Sequence, residues 1–213
     1  NKCTIKSTYA GLIGYIKNGY DLSTITMKGT KWTSDNITGT ALGLIGGTVI
    51  NEDESYWTNV SMLDTTWTDL SGTETYCGLI GYAFDKVKIG STSTNGLTID
   101  TVNWSKVNMT SDHFGLIGKY NGEFTNISIS NVNWLEVTVK NASDVYKSAY
   151  GANSSVVSFI PEVSSSNTAL TGTQINVSKV AVENLTTNAT VTGIVGDVTG
   201  TLSSMNVSDV RFY

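Results

Sequence analysis

The sequence predicts an all-β protein, a parallel β-solenoid (β-helix) of about six stacked repeats of roughly 35 residues each, on three observations. A four-residue unit, Gly-Leu-Ile-Gly, recurs along the chain. An alternating apolar pattern recurs at a fixed distance from that unit. The composition favours strands that carry a polar but weakly charged surface.

The unit stands intact at Gly11-Leu12-Ile13-Gly14, Gly43-Leu44-Ile45-Gly46, Gly78-Leu79-Ile80-Gly81 and Gly115-Leu116-Ile117-Gly118. It returns in weaker form at Ser158-Phe159-Ile160-Pro161 and Gly193-Ile194-Val195-Gly196. The steps between first residues are 32, 35, 37, 43 and 35, the range of periods that marks stacked repeats. The chain, 1–213, therefore reads as one repeat domain with units starting near Gly11, Gly43, Gly78, Gly115, Ser158 and Gly193.

The second pattern is an apolar pair in alternation, a corner, and a further alternating pair ending in a bulky residue. It runs Ile25/Met27 to Trp32, Val60/Met62 to Trp67, Leu97/Ile99 to Trp104, Ile127/Ile129 to Trp134, Ile175/Val177 to Val182 and Met205/Val207 to Phe212. The distance from the second apolar residue to the bulky one is five throughout, and the next unit begins 11 residues later except in the fourth copy, where the step is 24. That copy carries a 13-residue insertion, assigned to a loop at 141–153. An insertion within a stacked strand would break the ladder, whereas one in a corner leaves it intact. Variable stretches such as Gly47 to Asn59 and Tyr82 to Gly96 are expected to protrude as loops.

Within each piece the period of two puts Ile127 and Ile129 inside and Asn126 and Ser128 outside. The odd step from Ile129 to Val132 requires a turn at Ser130-Asn131, and Asp100-Thr101, Ser208-Asp209 and Lys28-Gly29 occupy the same place. A like break falls between Trp134 and Val137. Each repeat is then three or four short strands bent round one core. Six of them at about 4.8 Å per rung make a body about 29 Å long, with the tryptophans stacked in a column.

Composition agrees. Charged residues are 15% of the chain against about 25% in ordinary domains, while 24 Ser, 31 Thr and 19 Asn supply the polar surface. A net charge of −5 with a single Arg, Arg211, argues against nucleic acid as a partner. No apolar run approaches the roughly 20 residues of a membrane helix. The chain begins at Asn1 with neither Met nor a signal-like stretch, which fits a processed chain or a segment of a longer one. Cys3 and Cys77 match no metal or redox spacing; they are compatible with a disulfide and equally with two buried thiols.

The unit Gly78-Leu79-Ile80-Gly81-Tyr82, with the Ile-x-Asn type of strand that follows, resembles the GLUG repeat, named for its Gly-Leu-x-Gly core and found in large surface adhesins and some secreted peptidases of bacteria. Four copies match well; the fifth departs, with Ser158 and Pro161 in place of both glycines, and its strand is expected to be distorted or at an edge. The resemblance implies a β-solenoid stalk with a surface or secreted architectural role, and brings no catalytic residues with it.

Asn-x-Ser/Thr occurs at Asn36, Asn59, Asn103, Asn108, Asn126, Asn141, Asn153, Asn176, Asn184, Asn188 and Asn206, about twice the chance frequency for this composition. On a strand the Asn and the hydroxyl two residues on share a face, and Asn59, Asn103, Asn126, Asn176 and Asn206 fall on the outward phase. N-linked glycans, and with them an extracellular or cell-surface location, are expected. From Phe212 through Tyr213 to a following Gly11 the step would be 12, close to the internal 11, so the repeat register continues across a head-to-tail junction. That pattern fits self-association into a fibre, or a longer array of the same repeats.

An enzyme is not expected. His113 is the only histidine, so neither a triad nor a histidine metal site can be assembled, and no cofactor is implied. Asp64 and Asp100, at neighbouring corners, are the one carboxylate pair that could act on a polysaccharide. Glu52-Asp53-Glu54 lacks the alternating ligands of a calcium loop and reads as a solvated acidic loop. The strongest rival to a structural role is carbohydrate binding, with Tyr56 and Trp57 in a variable loop as the glycan contacts. A weaker one is ice binding by Thr-rich stretches such as Ser91 to Thr94.

Overall fold

Short alternating runs rich in Ile, Val, Thr and Trp, broken every few residues by Asn, Asp or Gly, leave no stretch for a helix and fix a succession of strands. The computed structural model describes residues 4–17, 19–33, 36–49, 54–90, 95–140, 156–164, 174–187, 190–199 and 204–213, and among these there is no helix. The first coil contains β1 (Thr4–Ala10), β2 (Ile13–Lys17), β3 (Leu22–Ser23), β4 (Thr26–Lys28) and β5 (Lys31–Thr33). The second contains β6 (Asn36–Leu42), β7 (Ile45–Val49), β8 (Ser55–Thr58) and β9 (Val60–Thr68). The third has β10 (Ser71–Cys77), β11 (Ile80–Ile89) and β12 (Leu97–Ser105), and the fourth β13 (Asn108–Phe114), β14 (Ile117–Phe124) and β15 (Ile127–Leu135). The fifth has β16 (Thr138–Lys140), β17 (Val156–Ser164) and β18 (Gln174–Glu183), and the sixth β19 (Thr186–Thr187), β20 (Thr190–Thr199) and β21 (Ser204–Phe212).

Corresponding strands of successive coils pair in parallel, which makes the chain the all-β parallel solenoid that its repeats predict. Face one is the sheet β21-β18-β15-β12-β9-β4, with β5 continuing β4 alongside β9. Face two stacks β1, β6, β10, β13, β16 and β19; face three stacks β2, β7, β11, β14, β17 and β20. β17 joins the two, pairing with β13 at Val156 and Val157 and with β14 at Val163 and Ser164.

Face one keeps register through all six coils, so Trp104 lies opposite both Trp67 and Trp134. The corner within it is a single left-handed residue in each coil: Gly29, Asp64, Thr101, Asn131, Lys179 and Asp209, with φ of 50 to 70°. One such residue shifts the side-chain phase by one position, so Ile99 and Val102 both point inward despite their odd spacing. Asp69, Lys106, Glu136 and Asn184 repeat the device before face two, and Thr24, Asn59 and Asn126 before face one. A left-handed non-glycine costs on the order of 1 to 2 kcal/mol and holds only where ladders on both sides fix it.

The core is a set of columns. Trp67 and Trp104 stack with centroids 4.2 Å apart and 3° between planes, Trp104 and Trp134 at 4.9 Å and 6°, and Trp32 caps the column 5.8 Å from Trp67. Phe114 and Phe159 meet this column edge-on, and the buried indole N–H groups of Trp67, Trp104 and Trp134 have no acceptor. The Gly-Leu-Ile-Gly bend is where coils come closest. A Cβ on Gly46 would lie 2.4 Å from the Gly14 carbonyl oxygen, on Gly81 2.4 Å from that of Gly46, and on Gly118 2.5 Å from that of Gly81. The second glycine is therefore demanded by the same glycine of the preceding coil, a repeat-to-repeat requirement that explains why the unit recurs. Leu44, Leu79, Leu116, Ile45, Ile80 and Ile117 between the glycines are buried.

One expectation is met and one is corrected. The strand of the fifth copy is distorted, with a register shift between Val157 and Ser158, although it is not at an edge: β17 is flanked by β13 and β14 on one side and β20 on the other. Ser158 replaces the first glycine by donating its hydroxyl to the Gly193 carbonyl at 2.9 Å. The stretches Gly47 to Asn59 and Tyr82 to Gly96 are not wholly protruding loops. β8 and the end of β11 pair with one another and return the chain to the sheet, because Trp57, Val87 and Ile89 are apolar in core phase. The insertion at 141–153 lies outside the described residues.

Candidate functional site

Eight of the eleven sequons fall on described residues. Asn36, Asn103, Asn108, Asn176 and Asn206 are exposed on strands of faces one and two, where the in-out alternation turns each hydroxyl two residues on to the same side. Asn59, Asn126 and Asn184 are at left-handed corners, which for Asn59 and Asn126 replaces the strand position expected of them; Asn tolerates that conformation better than most residues. Asn206 donates from Nδ2 to Asn176 Oδ1 at 2.9 Å, a rung-to-rung amide contact on face one. Asn141, Asn153 and Asn188 lie outside the described residues.

The expected glycan-contact pair is split. Trp57 is fully buried, not in an exposed loop, because β8 alternates Ser55 in, Tyr56 out, Trp57 in and adds Trp57 to the column of Leu22 and Ile89. Tyr56 is 45% exposed, but its hydroxyl donates to Glu54 and Lys88 Nζ lies 5.6 Å from its ring centroid and 2.9 Å from Glu54. Glu54 is thereby held in a surface network; Glu52, Asp53 and the stretch Ser91 to Thr94 lie outside the described residues. Among the described residues no three acidic, His or Cys side chains converge on a metal position.

Asp64 and Asp100 do not face each other. Their register is offset by one, Leu63 standing opposite Asp100. Asp64 turns to Lys28 at 3.5 Å in the first coil, while Asp100 accepts from Ser130 Oγ at 2.6 Å and Asn131 Nδ2 at 2.7 Å in the fourth. Partial desolvation pushes the Asp100 carboxyl up, but these hydrogen bonds and those from Thr101 outweigh it and hold the group below its usual range, as a structural corner requires.

One buried group, Glu74, escaped the sequence reading; a second, Cys77, is read there as a disulfide partner or a buried thiol. Glu74 is fully buried on β10 with neither carboxylate oxygen hydrogen-bonded, and Gly39 of the preceding coil leaves the space it fills, a Cβ there coming 3.3 Å from Oε2. Burial raises its carboxyl to about 8. Cys77 is a free, fully buried thiol, raised by burial and by Glu74. Cys3, the other half of the possible disulfide, lies outside the described residues.

The other grouping missed by the sequence reading is aromatic. The residues two before and one after each Gly-Leu-Ile-Gly unit point outward from faces two and three and meet across the bend: Tyr9 with Tyr15 at 6.2 Å and Tyr76 with Tyr82 at 4.6 Å, stacked. The second coil has Ala41 and Gly47 at these positions, with the Tyr9 ring lying over Gly47. The fourth has His113, 5.2 Å from the Tyr76 ring, and Lys119, whose Nζ lies 5.9 and 5.8 Å from the rings of Tyr76 and Tyr82. The signal was present in the sequence as Tyr-x-Gly-Leu-Ile-Gly-Tyr in the first and third copies.

No family model, no curated protein and no solved structure matches the chain.

Proposed function

We propose that this chain is a structural element of the cell surface or extracellular space, a subunit or segment of a fibre or stalk built by stacking coil on coil and bearing N-linked glycans. The carrying observation is the state of the outermost coils. Met205, Val207 and Phe212 are 46%, 44% and 50% exposed, yet they continue columns in which Ile175, Val177 and Val182 are buried. At the other end Leu12 is 58% exposed where Leu44, Leu79 and Leu116 are buried. Each open edge also offers unpaired strand N–H and C=O groups, so a further coil in the same register would bury the apolar side chains and complete the ladder. The resemblance to Gly-Leu-x-Gly repeats and the abundance of sequons support the surface location.

Sedimentation of the 213-residue chain over a range of concentrations tests the stacking. Association that grows with concentration and is abolished in a Val207→Lys/Phe212→Lys variant is expected. A chain that stays monomeric at the highest attainable concentration would overturn self-stacking of this chain and leave only a segment within a longer array.

A further inference from the structure

We infer that Cys77 is a gated thiol: the break in the face-two ladder beside Glu74 is the gate, and ionisation of the Glu74 carboxyl opens it to thiol-reactive molecules. The break is built into the fold. β10 pairs with β6 through Thr73 and resumes at Tyr76, and it pairs with β13 through Glu74 and resumes at Tyr76, so Thr75 is paired on neither side. In the fourth coil a hydroxyl spans this place, Ser111 Oγ lying 3.2 Å from the Thr75 carbonyl oxygen and 3.0 Å from that of His113. Glu74, opposite Ser111, adds no such tie: it is fully buried over Gly39 and neither carboxylate oxygen is hydrogen-bonded.

Cys77, also fully buried, lies just beyond the break. Between the break and the Gly-Leu-Ile-Gly bend only Tyr76 and Cys77 are paired, to Ala41 and Leu42 on one side and to His113 and Phe114 on the other. A strand that parts at the break therefore has little ladder to undo before the thiol is uncovered. Charge supplies the drive, because an enclosed anion with neither donor nor cation is stabilised only by letting water in. Of the elements packed on β10, β6 has no charged residue and β13 brings Asp112 and His113. Among the described residues of β11 and β14 the buried titratable group is Tyr120, whose hydroxyl is held by the Val87 carbonyl, while Lys88 lies on Glu54 and Lys119 on the rings of Tyr76 and Tyr82.

Iodoacetamide labelling of a Cys3→Ser chain tests the gate, the Cys77 thiolate displacing iodide as the S–C bond forms. Each rate is divided by that of the urea-unfolded chain at the same pH, which removes the titration intrinsic to the thiol. The closed form holds the Glu74 proton up to about 8 and the open form ionises near the ordinary 4.5, so the ratio should rise about tenfold per pH unit from about pH 5.5 to pH 7.5. Glu74→Gln should flatten that rise. The wild-type ratio should also exceed, by about tenfold or more, the unfolded fraction extrapolated from urea titrations, the mark of local parting rather than unfolding of the whole chain. A wild-type ratio that does not change with pH, an equal rise in Glu74→Gln, or labelling no faster than global unfolding allows would overturn the assignment.

Discussion

Replacing Glu74 with Gln should remove most of the pH dependence of stability between about pH 5 and pH 8. The folded chain holds the Glu74 proton up to about 8, against 4.5 for a solvated glutamate, because the carboxyl is enclosed without a hydrogen-bond partner. The folded state thus binds this proton more tightly than the unfolded state does. Stability tied to it is complete below the ordinary value, falls as pH rises, and levels off above about 8. At 1.36 kcal/mol per pH unit the loss is about 5 kcal/mol, a large share of what a domain of this size holds in reserve. Cys77, also raised, titrates above that window, and the lowered Asp100 withdraws its contribution only at acid pH, so among these shifted groups the slope between belongs to Glu74. Urea unfolding followed by the fluorescence of the buried tryptophans, from about pH 5 to pH 9, measures it. The wild type should lose stability steadily and the Glu74→Gln variant by less than about 1 kcal/mol. Parallel slopes in the two proteins would refute the reasoning.

Trp104→Ala, which empties the middle of the tryptophan column, should cost about 3 to 5 kcal/mol in the same assay, and Trp32→Ala markedly less, since Trp32 is only partly buried. Trp104→Phe should cost less than its lost area suggests, because it also removes an indole N–H that has no acceptor. Gly81→Ala drives a Cβ to 2.4 Å from the Gly46 oxygen and should destabilise by about 3 kcal/mol or more, whereas Gly29→Ala, with nothing within 4 Å and only its φ of 70° against it, should cost about 1 kcal/mol; thermal unfolding by circular dichroism compares the two. Expression through a secretory pathway followed by peptide mapping should find glycans at Asn36, Asn103 and Asn108, which are exposed beside their hydroxyl residues; three unmodified sites would contradict the surface assignment.

Much of the fold was legible because a solenoid writes its geometry into spacing. The five-residue step from Met62 to Trp67 and from Ile99 to Trp104 is a pair of half-strands about one left-handed corner, and a ladder in perfect register tolerates no other length. The glycines were legible as a repeat but not in their reason, which is the approach of one coil to the next and cannot be seen within a single copy. Trp57 was misread because its strand lies next to a variable stretch, and β8 is only four residues long, too short for alternation to declare itself. Glu74 was hidden for the opposite reason: its column reads Gly39, Glu74, Ser111, and nothing apolar marks it as inward. The aromatic cluster was missed because Tyr9 and Tyr15 are separated by the unit that drew attention, and only folding brings their rings together.

Cryo-electron microscopy of the native material tests the central claim most directly. The account predicts rods in which coils spaced about 4.8 Å continue in register beyond both β1 and β21. Isolated six-coil particles, with nothing stacked on either open edge, would contradict it.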